Sequence, residues 1–161
     1  AASDVYKRQL DVVLVPVGGG GLLSGVAVAL KSLNPEVEVL GVQSKASPVM
    51  YESFRRGEIV EVPMEESVAE ALHGGIEKGS VTFEIVRELV DDILLVEEGE
   101  IRRAIALFLE HHHQVAEGAG AVGLAALMTY GERFKGRRVG VVISGGNIDI
   151  SLLREILLEG R

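Results

Sequence analysis

Val12-Val13-Leu14-Val15-Pro16-Val17-Gly18-Gly19-Gly20-Gly21-Leu22-Leu23-Ser24-Gly25 is the stretch on which the fold turns. Val12 to Val15 is a short run rich in β-branched residues, the pattern of a strand buried on both faces. The four glycines end it. Leu22 to Leu33 then has helical spacing, and Asn34-Pro35 stops the helix. The same stretch imitates a membrane span. Val12 to Leu30 is nineteen residues without a charge, Lys7 and Arg8 precede it, and Ala27-Val28-Ala29 mimics a signal-peptidase site. Asp11 interrupts the approach, however, and Pro16 with the glycines cuts the run in two. A strand, a glycine loop and a helix account for it better than a span.

Working outward, Val37 to Val42 reads as a second strand, Pro48 to Arg56 as a short helix closed by Gly57, and Ile59 to Val62 as a brief extended piece. Glu65 to Ser80 is the least regular stretch. Thr82 to Val90 is helical and Ile93 to Val96 is a strand. Glu97 to His113 is a long helix, with Ile101, Ile105, Phe108 and Leu109 on one face. Ala119 to Tyr130 is an alanine-rich helix able to pack closely. Arg138 to Ile143 reads as another doubly buried strand, followed by Ser144-Gly145-Gly146-Asn147 and a last helix, Ile150 to Leu158. Strands alternating with helices predict an α/β fold with an open parallel sheet flanked by helices. Right-handed crossovers place the loop after each strand along one edge, where ligands of such sheets bind. Glycine-rich loops 18–21 and 144–147 both fall there. Residues 1–9 share no pattern with the rest and read as a leader or junction.

Composition narrows the function. At 161 residues the chain is one domain or a piece of a larger one. Sixteen basic and twenty-four acidic residues give −8, divided as −4 in each half, so no basic patch serves a nucleic-acid backbone. An aromatic share of 4% argues against stacking on single strands. The absence of cysteine excludes disulfides, iron–sulfur clusters, Cys–zinc sites and a Cys nucleophile, and fits a cytoplasmic protein.

In the first glycine loop the backbone can turn sharply and converge several N–H groups, and the following helix adds its positive end. That makes an anion cradle, most often for phosphate. A tight turn is the plainer reading, but four consecutive glycines exceed what a turn needs. A P-loop is excluded, because Val26-Ala27 follow Gly20…Gly25 where Lys and Ser/Thr must stand. A dinucleotide fingerprint fails too: Ser24 takes the third glycine's place, and the second strand ends at Gln43-Ser44 without a carboxylate. A nucleotide-binding module without chemistry stays open as the reading from another class.

Residues 15–25, Thr82-Phe83-Glu84-Ile85-Val86 with Val90-Asp91-Asp92, Glu117-Gly118-Ala119-Gly120-Ala121 and Ser144-Gly145-Gly146-Asn147-Ile148-Asp149 together resemble the threonine/serine dehydratase family, fold-type II pyridoxal-phosphate (PLP) enzymes related to the tryptophan synthase β chain. Order and spacing match over about residues 10–158. The resemblance implies PLP as cofactor, with Gly18, Gly19, Gly20, Gly21 and Leu22 at its phosphate. Ser144 would meet the pyridine nitrogen, and Gly145 and Gly146 would let the backbone approach the ring. Ser144 as a helix cap or turn residue is the alternative. Glu117 matches a family carboxylate near the cofactor and is the candidate catalytic residue; a solvated place at a helix start is its other reading. The implied activity is ammonia-lyase action on L-threonine or L-serine, in amino-acid metabolism and isoleucine biosynthesis, by a cytoplasmic homo-oligomer. A serine/threonine racemase or another β-eliminating enzyme of this fold is the rival.

Two parts of the family pattern are missing. The Schiff-base lysine lies in an S-x-K-x-R-G motif well upstream of the glycine loop, yet only seventeen residues precede Gly18, and Lys7 has neither motif nor distance. The expected division is therefore a junction at 1–9, the C-terminal portion of the PLP domain at 10–158 and a tail at 159–161, inactive alone. The racemase branch's divalent-cation ligands would fall in residues 41–49, which hold no carboxylate, so no metal is expected. His111-His112-His113 cannot all face one ion from consecutive helical positions, and instead suits a helix's negative end. Glu97, Glu98 and Glu100 read as dipole complements.

Overall fold

The computed structural model describes residues 9–159; most of the proposed 1–9 junction, with Lys7, and the last two tail residues lie outside the described residues. Four parallel strands form the sheet: β1 (Val12–Pro16), β2 (Glu38–Ser44), β3 (Asp92–Val96) and β4 (Val139–Val141), in the order β3-β2-β1-β4. Each parallel pairing needs a crossover, and helices supply it: α1 (Gly21–Leu33), α2 (Val49–Arg56), α3 (Val81–Leu89), α4 (Glu98–His112), α5 (Gly118–Thr129) and, after β4, α6 (Ile150–Glu159). Alternation along the strands divides the core between two faces. Val12, Leu14, Leu40, Val42, Leu94 and Val96 pack toward α4 and α5. Val13, Val15, Val39 and Ile93 pack with Leu23, Met50, Phe83 and Val86 on the other face. Burying such a Val or Leu contributes about 1.5–3 kcal/mol each; β1, buried at every residue, and β2 are the two interior strands.

α5 shows why its sequence is so small-sided. Gly118 to Val122, Gly123, Ala125 and Ala126 are all buried, and a Cβ on Gly123 would lie 2.6 Å from Val141 Cγ1 of the sheet. α4 ends at His113, which takes a left-handed φ of 54° while the N–H groups of His113 and Gln114 donate to Leu109 O and Phe108 O. His111, His112 and His113 are exposed, and among the described residues no group of three His, Cys, Asp or Glu side chains could hold a metal.

One expectation needs correction. Within this chain Arg138 to Ile143 is not a doubly buried strand: only Val139–Val141 pair, all half-buried, at the edge of the four strands beside β1, and Ile143 is 51% exposed. Aliphatic content reports the capacity to be buried, not how many neighbours a strand has. Ile59 to Val62, expected as a brief extended piece, is neither helix nor paired strand; the Val60 N–H donates to Ser53 Oγ of α2.

Candidate functional site

The site begins where β1 and β4 leave the sheet. Leu14 pairs with Val141, and the Val142 N–H donates to Leu14 O at 3.0 Å, extending the ladder beyond β4. Neighbouring strands run about 4.8 Å apart, so Val17-Gly18 and Ile143-Ser144 emerge side by side at the same end. The two glycine-rich loops are thereby brought together.

Gly20 takes φ 89° and ψ −5° immediately before α1. A left-handed residue followed by a right-handed turn curls the N–H groups of Gly20, Gly21 and Leu22 around one point, an anion-binding nest. No side chain caps α1, and no acidic residue stands in its first turn, so its terminal donors and positive end are left for a ligand. The four glycines serve different needs. A Cβ at Gly18 would lie 3.0 Å from the Leu72 backbone, and one at Gly20 would lie 2.9 Å from Met50 Cε and 3.2 Å from Thr82 Oγ1. At Gly19 and Gly21 a Cβ would meet no atom within 4 Å, and both residues are exposed. Protein packing accounts for two glycines; the other two face open space beside the donors. That chemistry fits a phosphate dianion such as the one PLP carries.

The second loop is held from behind. The Glu117 N–H donates to Gly145 O at 3.1 Å, and the Asn147 N–H donates to Glu117 Oε2 at 2.8 Å. Glu117 Oε1 abuts the place a Cβ on Gly145 would take, a Cβ on Gly146 would sit 2.7 Å from Val115 O, and one on Gly120 would sit 2.5 Å from Gly145 O. Three glycines thus let the α4–α5 connection press against the loop. Ser144, at its start, is exposed, and its hydroxyl makes no hydrogen bond among the described residues.

A third wall has no counterpart in the sequence reading. Residues 67–72 include one short 3₁₀ turn, Glu70–Leu72. Leu72 lies against Gly18, and the Val68 carbonyl lies where a Cβ on Gly118 would be. Glu98 fastens the segment: it accepts from Ser67 Oγ and the Val68 N–H, both at 2.7 Å, and from Ser44 Oγ. Glu98 is therefore a clamp as well as a first-turn acid of α4. Glu97 and Glu100 instead pair at the surface, with Lys45 and Arg103. The only sequence signal for the clamp was Ser67 amid an irregular stretch.

Two cavities lie away from the first glycine loop. One of about 670 Å³ is lined by Ser67, His73, Glu98, Arg102 and Leu152 among others, but Arg102 is taken by Glu155 and Glu159 of α6. Another, of about 350 Å³, reaches Glu70, Glu117 and Asn147. In the segment expected to lack a metal, Gln43 is fully buried and accepts the Tyr51 N–H at 3.0 Å.

Residues 3–145 match the family described as pyridoxal-phosphate dependent enzyme. The L-threonine ammonia-lyase of Thermotoga maritima is 48% identical over 153 residues, covering 94% of this chain and 37% of that protein. A threonine deaminase from T.th. superposes with a TM-score of 0.84 at 36% identity, over 92% of this chain and 54% of that one. The serine racemase of Dictyostelium discoideum superposes with a TM-score of 0.81 at 35% identity, over 92% and 48%. The chain spans about one third to one half of the length of these relatives.

Proposed function

Because the chain belongs to the pyridoxal-phosphate-dependent enzyme family, we propose that it forms the cofactor-holding portion of an ammonia-lyase that converts L-threonine or L-serine to a 2-oxo acid and ammonia. The observation that carries the reading is the nest at Gly20, with Gly19 and Gly21 open beside an uncapped helix N-terminus. The backbone N–H groups of residues 18–22 bind the phosphate dianion, and the α1 dipole adds to their pull. Bound PLP supplies the electron sink through which the α-proton and β-hydroxyl of the amino acid can leave.

Ser144 offers the ring nitrogen a neutral hydroxyl, which donates or accepts one hydrogen bond without bringing a charge. Glu117, the candidate catalytic carboxylate, acts in this reading by holding the Ser144 loop through Asn147 and Gly145 rather than by moving a proton. Residues 10–158 hold no lysine in the family's S-x-K-x-R-G motif, and in this reading they bind the cofactor without reacting on their own. A cytoplasmic homo-oligomer that feeds its four-carbon 2-oxo acid to isoleucine biosynthesis completes the proposal; among the described residues no helix is long and apolar enough to cross a membrane.

The test is an assay of the full-length protein with L-threonine and L-serine, measuring 2-oxo acid, ammonia and the D-enantiomer together. The proposal expects 2-oxo acid and ammonia in equal amounts as the main products. The likeness to a serine racemase favours one rival, and D-serine as the main product would establish it instead. Binding of NAD or ATP with none of PLP would overturn both.

A further inference from the structure

We infer that Thr82 is the positioning residue of the phosphate cradle, acting through the carbonyl of Gly19; the inference rests on the cofactor reading above. Thr82 lies in the first turn of α3, half-buried. Its Oγ1 donates to Gly19 O at 2.7 Å, and lies 2.7 Å from Ser80 Oγ. A carbonyl only accepts, so the Thr82 proton is committed to Gly19, and Ser80 must donate to Thr82. The three groups form a one-way chain, Ser80 to Thr82 to Gly19, in which each bond polarises the next.

Peptide geometry gives this chain its consequence. The Gly19 carbonyl and the Gly20 N–H belong to one planar trans unit and point in opposite directions. Drawing the carbonyl toward α3 turns the Gly20 N–H away from α3 and into the nest. The same hydroxyl stands 3.2 Å from where a Cβ on Gly20 would be, so it also closes the space behind the left-handed residue. Ser80 occupies the N-cap of α3 yet makes no side-chain capping bond, although serine at that position ordinarily bonds the first turn's N–H groups. Its hydroxyl serves the loop instead. Without Thr82 the peptide between Gly19 and Gly20, flanked by glycines and open to solvent on one side, has little else to hold its plane.

The experiment uses the apo form of the full-length protein and compares affinities for PLP and for pyridoxal, which lacks the phosphate. Thr82→Val removes the hydroxyl at nearly constant shape. It is expected to weaken PLP by about tenfold, the upper range for one hydrogen bond, and to leave pyridoxal within about twofold. Thr82→Ser restores PLP binding to within about twofold of the parent. Ser80→Ala, which leaves Thr82 in place, weakens PLP by about threefold and keeps the inference testable if the valine variant does not fold. A Thr82→Val protein with the parent's preference for PLP over pyridoxal would overturn the inference, as would equal loss of both ligands. A parent that binds PLP no better than pyridoxal would instead overturn the cradle reading itself, and the inference with it.

Discussion

The loops after β1 and β4 leave neighbouring parallel strands at the same level, and both are rich in glycine, but they are built on different principles. Residues 18–21 follow a strand buried along its whole length and run into a thirteen-residue helix. Their shape comes from behind, where Met50, Leu72 and Thr82 fill the space that side chains on Gly18 and Gly20 would need. Residues 144–147 follow a half-buried three-residue edge strand. Their shape comes from backbone pressed against backbone at Gly120 and Gly146, and from one carboxylate, Glu117, bonded to Asn147. The first loop is held by side-chain packing and the Thr82 hydroxyl, and presents a row of donors. The second is held by close backbone contact and one carboxylate, and presents a single hydroxyl. A phosphate needs the former, and one hydrogen bond to a ring edge needs no more than the latter.

The comparison breaks most visibly at Gly20. An alanine there would be strained at φ 89° and would press on Met50, costing about 1–2 kcal/mol from the backbone alone. Chemical denaturation of the full-length apo protein should register that loss, and an unchanged midpoint would mean the left-handed turn is not required. Gly19→Ala sharpens the contrast. Its Cβ meets no protein atom, so stability should stay within about 0.5 kcal/mol, while PLP affinity falls by about tenfold, or roughly 1.4 kcal/mol. On the second loop, Glu117→Gln keeps an acceptor but gives up the charge. It should cost no more than about 1 kcal/mol and quicken amide exchange at Asn147 while leaving PLP affinity near the parent's. A fall in PLP affinity as large as that of Gly19→Ala would erase the distinction between the loops.

The smallest effect lies at the opposite end of the strands, where acid should act. Hydrogen bonds from Arg138 hold Asp11 down to about 2. Burial alone would raise Glu38, but hydrogen bonds from Arg133 and Arg137 leave it below the ordinary carboxylate range. Groups with depressed folded values stabilise the fold above their unfolded values, near 4, and that contribution fades as pH falls toward the folded values. The thermal midpoint should therefore drop between about pH 4 and pH 2, and Asp11→Asn with Glu38→Gln should flatten that drop. A profile identical to the parent's would remove these pairs from the account.

Where the sequence was legible, one physical rule decided the outcome. A charge-free run rich in Val and Leu, cut by four glycines, leaves few options but a buried strand, a close-approach loop and a helix, and β1, Gly20 and α1 answer to it. Arg138 to Ile143 has the same aliphatic character yet lies at an edge of the four strands this chain supplies, because strand order is not set by local composition. Glu98 was opaque for a related reason. A carboxylate in a first helical turn is explained by the dipole alone, and only the folded chain reveals Ser44, Ser67 and Val68 around it. Thr82 stood inside a stretch matched to the family, but its role depends on a carbonyl 63 residues away in sequence. Glu117 could be matched to a family carboxylate, but its bond to Asn147 of the second loop joins residues 30 positions apart and has no local signal.

The most direct test of the central claim is a crystal structure of the full-length protein grown with PLP. The account predicts phosphate oxygens about 3 Å from backbone N–H groups of residues 18–22, with Gly20 still left-handed and Ser144 Oγ within hydrogen-bond distance of the ring nitrogen. A phosphate bound elsewhere, with only solvent against Gly19 and Gly21, would contradict it.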